Sequence, residues 1–250
     1  LTLAIAAGAW LAGNAVWVAT WSLAAATPWW AAFLVLTIAG ERLELTRLRP
    51  ASPRARRAFV LLIAGWLAAP AALTAAALGA LPVPPESGWR ALGAIAVATA
   101  AWGLTNDIAR HTIRGQGLTR YIAVCLLSGY GWLAASGAIW LTASHPGAGL
   151  SADAALHPLM LGFVFSMVFA HAPVILPAVT TVPIVFHRGL YLPLAGLHLS
   201  LTVRIGGGVA GDAALRAAGA AANAVTVALF VAAVAAGVAL ARSASASSRR

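Results

Sequence analysis

Apolar residues run along this chain in blocks of about twenty, interrupted by short polar gaps. A helix of that length crosses roughly 30 Å of hydrocarbon, and eight blocks are candidates: 1–23, 28–48, 58–81, 91–107, 121–142, 154–179, 189–206 and 217–241. The pattern predicts an all-α protein, a polytopic transmembrane helix bundle of about eight spanning helices with both termini on one side. Residues 1–242 are read as a single transmembrane helical domain, and 243–250, polar and low in complexity, as a disordered tail. Block 1–23 is read as a true span, because Asn14 interrupts its apolar centre and no small-residue cleavage pattern stands out. Small residues gather in 128–137 and 217–235, where they let helix backbones approach closely.

Composition turns that pattern into a class. Of the 250 residues, 61% are hydrophobic and 9% charged, whereas a soluble domain carries about a quarter charged residues. A soluble enzyme is excluded. The formal net charge is +10 and all sixteen Lys or Arg residues are arginine, yet most lie in the short gaps, with Arg42 left over inside the second block, so they set topology and do not indicate nucleic acid. Arg47, Arg49, Arg54, Arg56 and Arg57 fill the second gap and Arg110, Arg114 and Arg120 the fourth. Arg188 lies in the sixth, and Arg242, Arg249 and Arg250 follow the last block; only Arg90, Arg204 and Arg216 belong to the other side. The positive-inside rule then makes both termini cytoplasmic and the protein a multi-pass resident of the cell inner (plasma) membrane. Trp21, Trp29, Trp30, Trp89 and Trp140 fall near the outer face, at the headgroup level that indole rings favour. Cys125, the single cysteine, lies inside an apolar block and is read as buried packing.

Ionisable groups at membrane depth are expensive unless paired, hydrated or ligated, which makes them the first candidates for chemistry. In the run Gly40-Glu41-Arg42-Leu43-Glu44-Leu45-Thr46-Arg47, Glu41 and Glu44 lie about 60° apart on one helical face, and Glu44 can reach Arg47. Two readings stand: a carboxylate pair that transfers protons or holds a metal on the cytoplasmic side, or an ion-paired helix end with Arg42 snorkelling outward.

Histidine forms the second cluster. His157 and His171 share the sixth block, about 21 Å apart along an α-helix and about 40° around it. That spacing lets one helix offer axial ligands to two haems stacked across a bilayer. His198 is in the middle of the seventh block and His187 at its cytoplasmic entrance; if the two blocks form an antiparallel hairpin, His171 and His198 sit at levels about 8 Å apart. Ligation or proton relay is one reading, hydrogen-bonded packing the other. His111 and His145 fall in loops and are read as solvated. Pro158, Gly162, Pro173 and Pro177 suit a cofactor pocket or plain tight packing, and Arg204 offers a two-point fork to a haem propionate or snorkels to the interface.

The run Leu156-His157-Pro158-Leu159-Met160-Leu161-Gly162-Phe163 continues through Ala170-His171-Ala172-Pro173 and Leu176-Pro177, and is followed by Gly196-Leu197-His198-Leu199-Ser200-Leu201. It resembles a helix pair of the haem-copper oxidase subunit I superfamily. It is also similar to the haem- and copper-containing membrane proteins of the NnrS type that accompany nitric-oxide metabolism. The resemblance covers 153–206 and implies a b-type haem or copper site, with His157 matching the family's ligand histidine. His171 and His198 join it through the helical geometry above. Eight spans in place of about twelve, and the lack of an adjacent histidine pair, separate the chain from a gas-reducing binuclear centre. A haem-binding or electron-relaying relative is what the resemblance implies.

Three function classes follow. The first is an integral membrane metalloprotein binding haem b or copper, in electron transfer or nitric-oxide and respiratory metabolism. There His157, His171 and His198, with His187 beside them, hold the metal; Arg204 and Gly162 serve the cofactor, and Glu41 and Glu44 transfer protons. The second is a proton-coupled small-ion or metal transporter using the same histidines and glutamates. The third is a cofactor-free assembly subunit of a membrane complex. The expected partners are the lipid bilayer, a redox partner protein and further copies or other subunits, with no nucleic acid.

Overall fold

The computed structural model describes residues 1–45, 52–82 and 84–247, the side chains of 44–45 and 244–247 excepted. All of its regular structure is helical: α1 (Thr2–Thr20), α2 (Leu23–Leu45), α3 (Pro53–Ala77), α4 (Pro85–Asn106), α5 (Ala109–Thr112), α6 (Gly117–Thr142) and α7 (Gly149–His157). A π-helix over Pro158–Val164 leads into α8 (Phe165–Thr180), and a 3-10 turn over Arg188–Leu190 leads into α9 (Tyr191–Ala210) and α10 (Ala213–Ser247). The segment expected as a disordered tail overlaps the end of α10, and 248–250 lie outside the described residues.

Among the described residues, six helical stretches are long and apolar enough to cross a membrane: Thr2–Thr20, Leu23–Leu43, Pro53–Ala77, Gly117–Thr142, Gly149–Thr180 and Ala213–Ser243. That is two fewer than the apolar blocks suggest. α4 and α9 have the length, 22 and 20 residues, but Glu86 and Arg90 in α4 and His198, Ser200 and Arg204 in α9 make them less apolar. Large apolar side chains are exposed along α1, α9 and α10, among them Trp10, Leu11, Val18, Leu192, Leu199, Val225 and Val231. Such a surface is consistent with membrane residence.

The chain forms two compact units, Leu1–Arg110 with Tyr130–Met160, and His111–Gly129 with Leu161–Arg250. In the first, α1 packs on α2, α2 on α3 and α3 on α4. Indole N–H groups stitch these helices together. Trp30 donates to Asn14 Oδ1 at 3.1 Å, Trp29 to Thr74 Oγ1 at 2.9 Å, Trp66 to Thr99 Oγ1 at 2.9 Å and Trp102 to the Ala55 carbonyl at 2.9 Å. Each bond satisfies a donor that would be costly to bury alone. Trp21 is exposed as an interfacial ring would be, whereas Trp140 is fully buried and Trp89 nearly so, their rings 5.8 Å apart. These two rings pack in the protein's core. α4 and α6 meet at Gly93 and Gly137, where a Cβ on either would lie 2.6 Å from the other's carbonyl oxygen.

In the second unit α9 and α10 form a helical hairpin through Gly211, which takes the left-handed cap conformation at φ 70°. Ser200 on α9 donates to Asn223 Oδ1 on α10 at 2.6 Å, and Gly196 faces Thr226. Phe169 of α8 stacks on Phe230 of α10 with centroids 3.8 Å apart and planes 7° from parallel. The chain between α8 and the 3-10 turn is extended and lies on α10: Val185 N–H donates to the Gly237 carbonyl at 3.1 Å and His187 Nε2 to the Ala233 carbonyl at 2.8 Å. Serine and threonine hydroxyls within the helices mostly donate to the carbonyl four residues back, as Thr27, Thr37, Thr142 and Thr202 do. They thereby satisfy themselves without a partner helix.

Candidate functional site

His157 ends α7, immediately before the proline that opens the π-helix. Its Nδ1 lies 2.8 Å from the Asp153 carbonyl oxygen and 3.3 Å from Asp153 Oδ1. A carbonyl oxygen can only accept, so Nδ1 carries the proton and, in the neutral ring, Nε2 carries the lone pair. His171 repeats the arrangement one turn back along α8, with Nδ1 donating to the Met167 carbonyl at 2.7 Å. Both rings are half-buried. This is the tautomer an imidazole adopts when Nε2 serves as a metal ligand and Nδ1–H is held by a carbonyl.

The other expected ligands are placed differently. His187 donates through Nε2 to the Ala233 carbonyl, so its lone pair is on Nδ1, which faces the turn at Gly189. It pins the extended segment to α10. His198 is half-buried on α9, and Arg204, also half-buried, lies on the same helix where Gly219 of α10 closes on its backbone. Gly162 is buried within the π-helix. His111 and His145 are exposed, the latter at the edge of a cavity of about 200 Å³ with Glu86 and Trp89.

The π-helix changes the expected geometry of the sixth block. The 40° relation between His157 and His171 assumes uninterrupted α-helical winding. Pro158 has no N–H to continue the ladder, and seven residues from Pro158 to Val164 wind with wider turns. The same-face arrangement therefore no longer follows from sequence spacing.

On α2, Glu41 is exposed, and the side chain of Glu44 and all of Arg47 lie outside the described residues. The residue between the two glutamates corrects the sequence reading: Arg42 does not snorkel outward but is buried at 5% exposure. Its Nε donates to Asp107 Oδ2 and its Nη2 to Asp107 Oδ1, both at 2.7 Å. The same carboxylate accepts the Ala109 N–H at 2.8 Å and the Tyr130 hydroxyl at 2.8 Å. Asp107 caps α4 and lies outside the six candidate spans. Burial alone would raise its pKa, but the hydrogen bonds and charge of Arg42, with Ala109 and Tyr130, outweigh that and hold the carboxyl below its ordinary value. Four donors saturate this carboxylate, so it is a lock that fixes α2, α4 and the start of α5 on Tyr130, and a poor proton acceptor.

Sequence reasoning passed over Asp107 and Tyr130. The one available signal was an aspartate closing an apolar block, since nothing in the chain shows that residues 65 apart in sequence would pair.

Among the described residues, no three His, Cys, Asp or Glu side chains converge as a metal-binding group. The architecture is thus that of an all-helical protein with membrane-length apolar helices, in which the imidazoles of His157, His171 and His187 are each held by a backbone carbonyl. The chain belongs to the family described as Domain of unknown function (DUF8744), which it matches over residues 1–239. No curated protein and no solved structure matches it.

Proposed function

We propose that the protein is an inner-membrane haem b protein of eight spans, with both termini cytoplasmic, in which His157 and His171 are the axial-ligand candidates and His198 a third. The observation that carries this reading is the Nδ1–H bond of each of the first two rings to a backbone carbonyl, which directs the lone pair to Nε2. Asp153, beside the His157 ring, adds an acceptor that raises the basicity of the ligand. Haem fits the donor set better than copper. A porphyrin brings four nitrogens of its own and asks one or two imidazoles of the protein, whereas a bare ion needs three or four protein donors, and no such group converges among the described residues. Buried polar atoms that have no hydrogen-bond partner among the described residues, Ser166 Oγ on α8 and Asn223 Nδ2 on α10, are further groups able to meet a polar cofactor edge. When bound, haem would supply one-electron chemistry. The role that follows is electron relay within respiratory or nitric-oxide metabolism, with a redox partner protein.

The test is a reduced-minus-oxidised visible spectrum of the protein in mild detergent, with a pyridine haemochrome assay on membranes to register haem lost on extraction. The expected result is a b-type signal that falls in His171→Ala or His157→Ala and persists in His111→Ala. Membranes rich in folded protein but without haemochrome overturn the proposal and leave the transporter and assembly-subunit readings, of which bound copper alone would favour a metal carrier.

A further inference from the structure

The second unit contains a cavity of about 670 Å³ lined by Gln116, Arg120 and Val124 at the start of α6, by Phe186 at the end of the extended segment, and by Arg188 and Tyr191 at the entry to α9. We propose that this cavity binds a phosphate-bearing anion, with Arg120 and Arg188 gripping the phosphate and Tyr191 adding a hydroxyl.

Charge carries the argument. Arg120, Arg188 and Tyr191 all line this one cavity, which brings two cations and a hydroxyl to the same space. Among the described residues neither arginine forms an ion pair, and no acidic side chain lines the cavity. Two guanidinium groups converging on a cavity without a carboxylate repel each other unless an anion joins them. Arginine is suited to that anion, because its planar fork matches two phosphate oxygens at once. Gln116 adds an amide, and Val124 and Phe186 supply an apolar part of the wall. Tyr121 is buried behind Phe186 and Tyr191, with ring centroids 5.8 and 5.2 Å away, so both lining rings are braced. A wall with cations at one part and apolar side chains at another suits an amphiphile, whose phosphate meets the arginines and whose acyl end meets Phe186 and Val124. Two sources carry this chemistry, an anionic phospholipid headgroup and a soluble phosphate.

The test uses the full chain in neutral detergent, with thermal unfolding followed by tryptophan fluorescence during titration of phosphatidylglycerol, phosphatidylcholine or inorganic phosphate. A ligand bound to the folded form raises the unfolding temperature. Each arginine near an anionic headgroup favours it by roughly fivefold, and two by about twenty-five-fold. Phosphatidylglycerol is therefore expected to bind more tightly than phosphatidylcholine by about that factor. The preference should fall roughly fivefold in Arg120→Gln or in Arg188→Gln, vanish in the double variant and persist in Arg114→Gln, whose side chain does not line the cavity. Should the double variant fail to fold, the two single variants decide. Stabilisation by inorganic phosphate alone, lost in the same variants, supports a soluble ligand; stabilisation by phosphatidylglycerol without a phosphate effect supports a lipid. Equal effects of the two lipids with none from phosphate, or an anion effect unchanged in both single variants, overturn the proposal.

Discussion

Asp107 gathers four hydrogen bonds on two oxygens, from Arg42 Nε and Nη2, Ala109 N–H and Tyr130 Oη. The interaction is worth most as a unit, because removing one partner leaves a buried charge unmatched. Asp107→Ala is expected to destabilise the protein by about 3–5 kcal/mol, read from denaturation in mixed micelles. Tyr130→Phe, which removes one donor to a charged acceptor, should lose about 1.5–3 kcal/mol. Glu41→Gln, exposed on α2 beside Arg42, should stay within about 0.5 kcal/mol. The lowered folded-state pKa of Asp107 also has a sign. A carboxyl that ionises more readily when folded stabilises the protein above its unfolded pKa of about 4, and that stability is lost as pH falls through the lower folded value. The unfolding temperature should therefore decline below about pH 4 from this group, and Asp107→Asn should lack that acid-dependent component while being less stable at neutral pH. A wild-type acid response retained in full by Asp107→Asn would assign it to other groups.

At the scale of elements, the crossing of α4 and α6 depends on two glycines. Gly93→Ala or Gly137→Ala would drive a methyl to 2.6 Å from the opposing carbonyl oxygen, so the helices must separate, and overpacking of this kind destabilises by about 1–3 kcal/mol. Gly131→Ala in the same helix as Gly137 meets nothing within 4 Å and should stabilise by up to about 1 kcal/mol through helix propensity. Thermal unfolding of the three variants measures the contrast. Helices were legible in the sequence because long apolar blocks rich in alanine and leucine leave little alternative, and Cys125 is buried as its block implied. Three features were not legible. The wide turn at Pro158–Val164 depends on a local choice of hydrogen-bond register that a proline permits but does not dictate. The extended segment over 182–187 reads as apolar sequence, yet its N–H and imidazole partners are carbonyls of α10, about fifty residues away. Arg42 reads as a cation snorkelling outward from a helix end, whereas it is buried on a partner from the end of α4. In each case the missing information is which distant group arrives.

At the scale of the whole molecule, the disposition of the chain across the bilayer turns on α4 and α9, the two helices with the length of a span but less apolar character. The eight-span proposal has both crossing, because Arg110, Arg114 and Arg120 after α4 and Arg188 before α9 would then share one side with the chain termini. A polar residue does not prevent crossing when a neighbouring helix takes it, and Ser200 does bond to Asn223 of α10. Topology can be read with single cysteines in a Cys125→Ser background and a maleimide that cannot cross membranes. If α4 crosses, Ala80→Cys before it and Arg114→Cys after it label from opposite sides; if α9 crosses, Thr181→Cys and Ala213→Cys do the same. All four sites are exposed. In intact cells the eight-span arrangement predicts labelling at Ala80→Cys and Ala213→Cys, with Arg114→Cys and Thr181→Cys reacting only after permeabilisation. Same-side labelling of either pair would show that helix to lie within or beside the bilayer without traversing it. Failure of both pairs would reduce the count to the six strongly apolar stretches, and His198 on α9 would then lose its place at membrane depth.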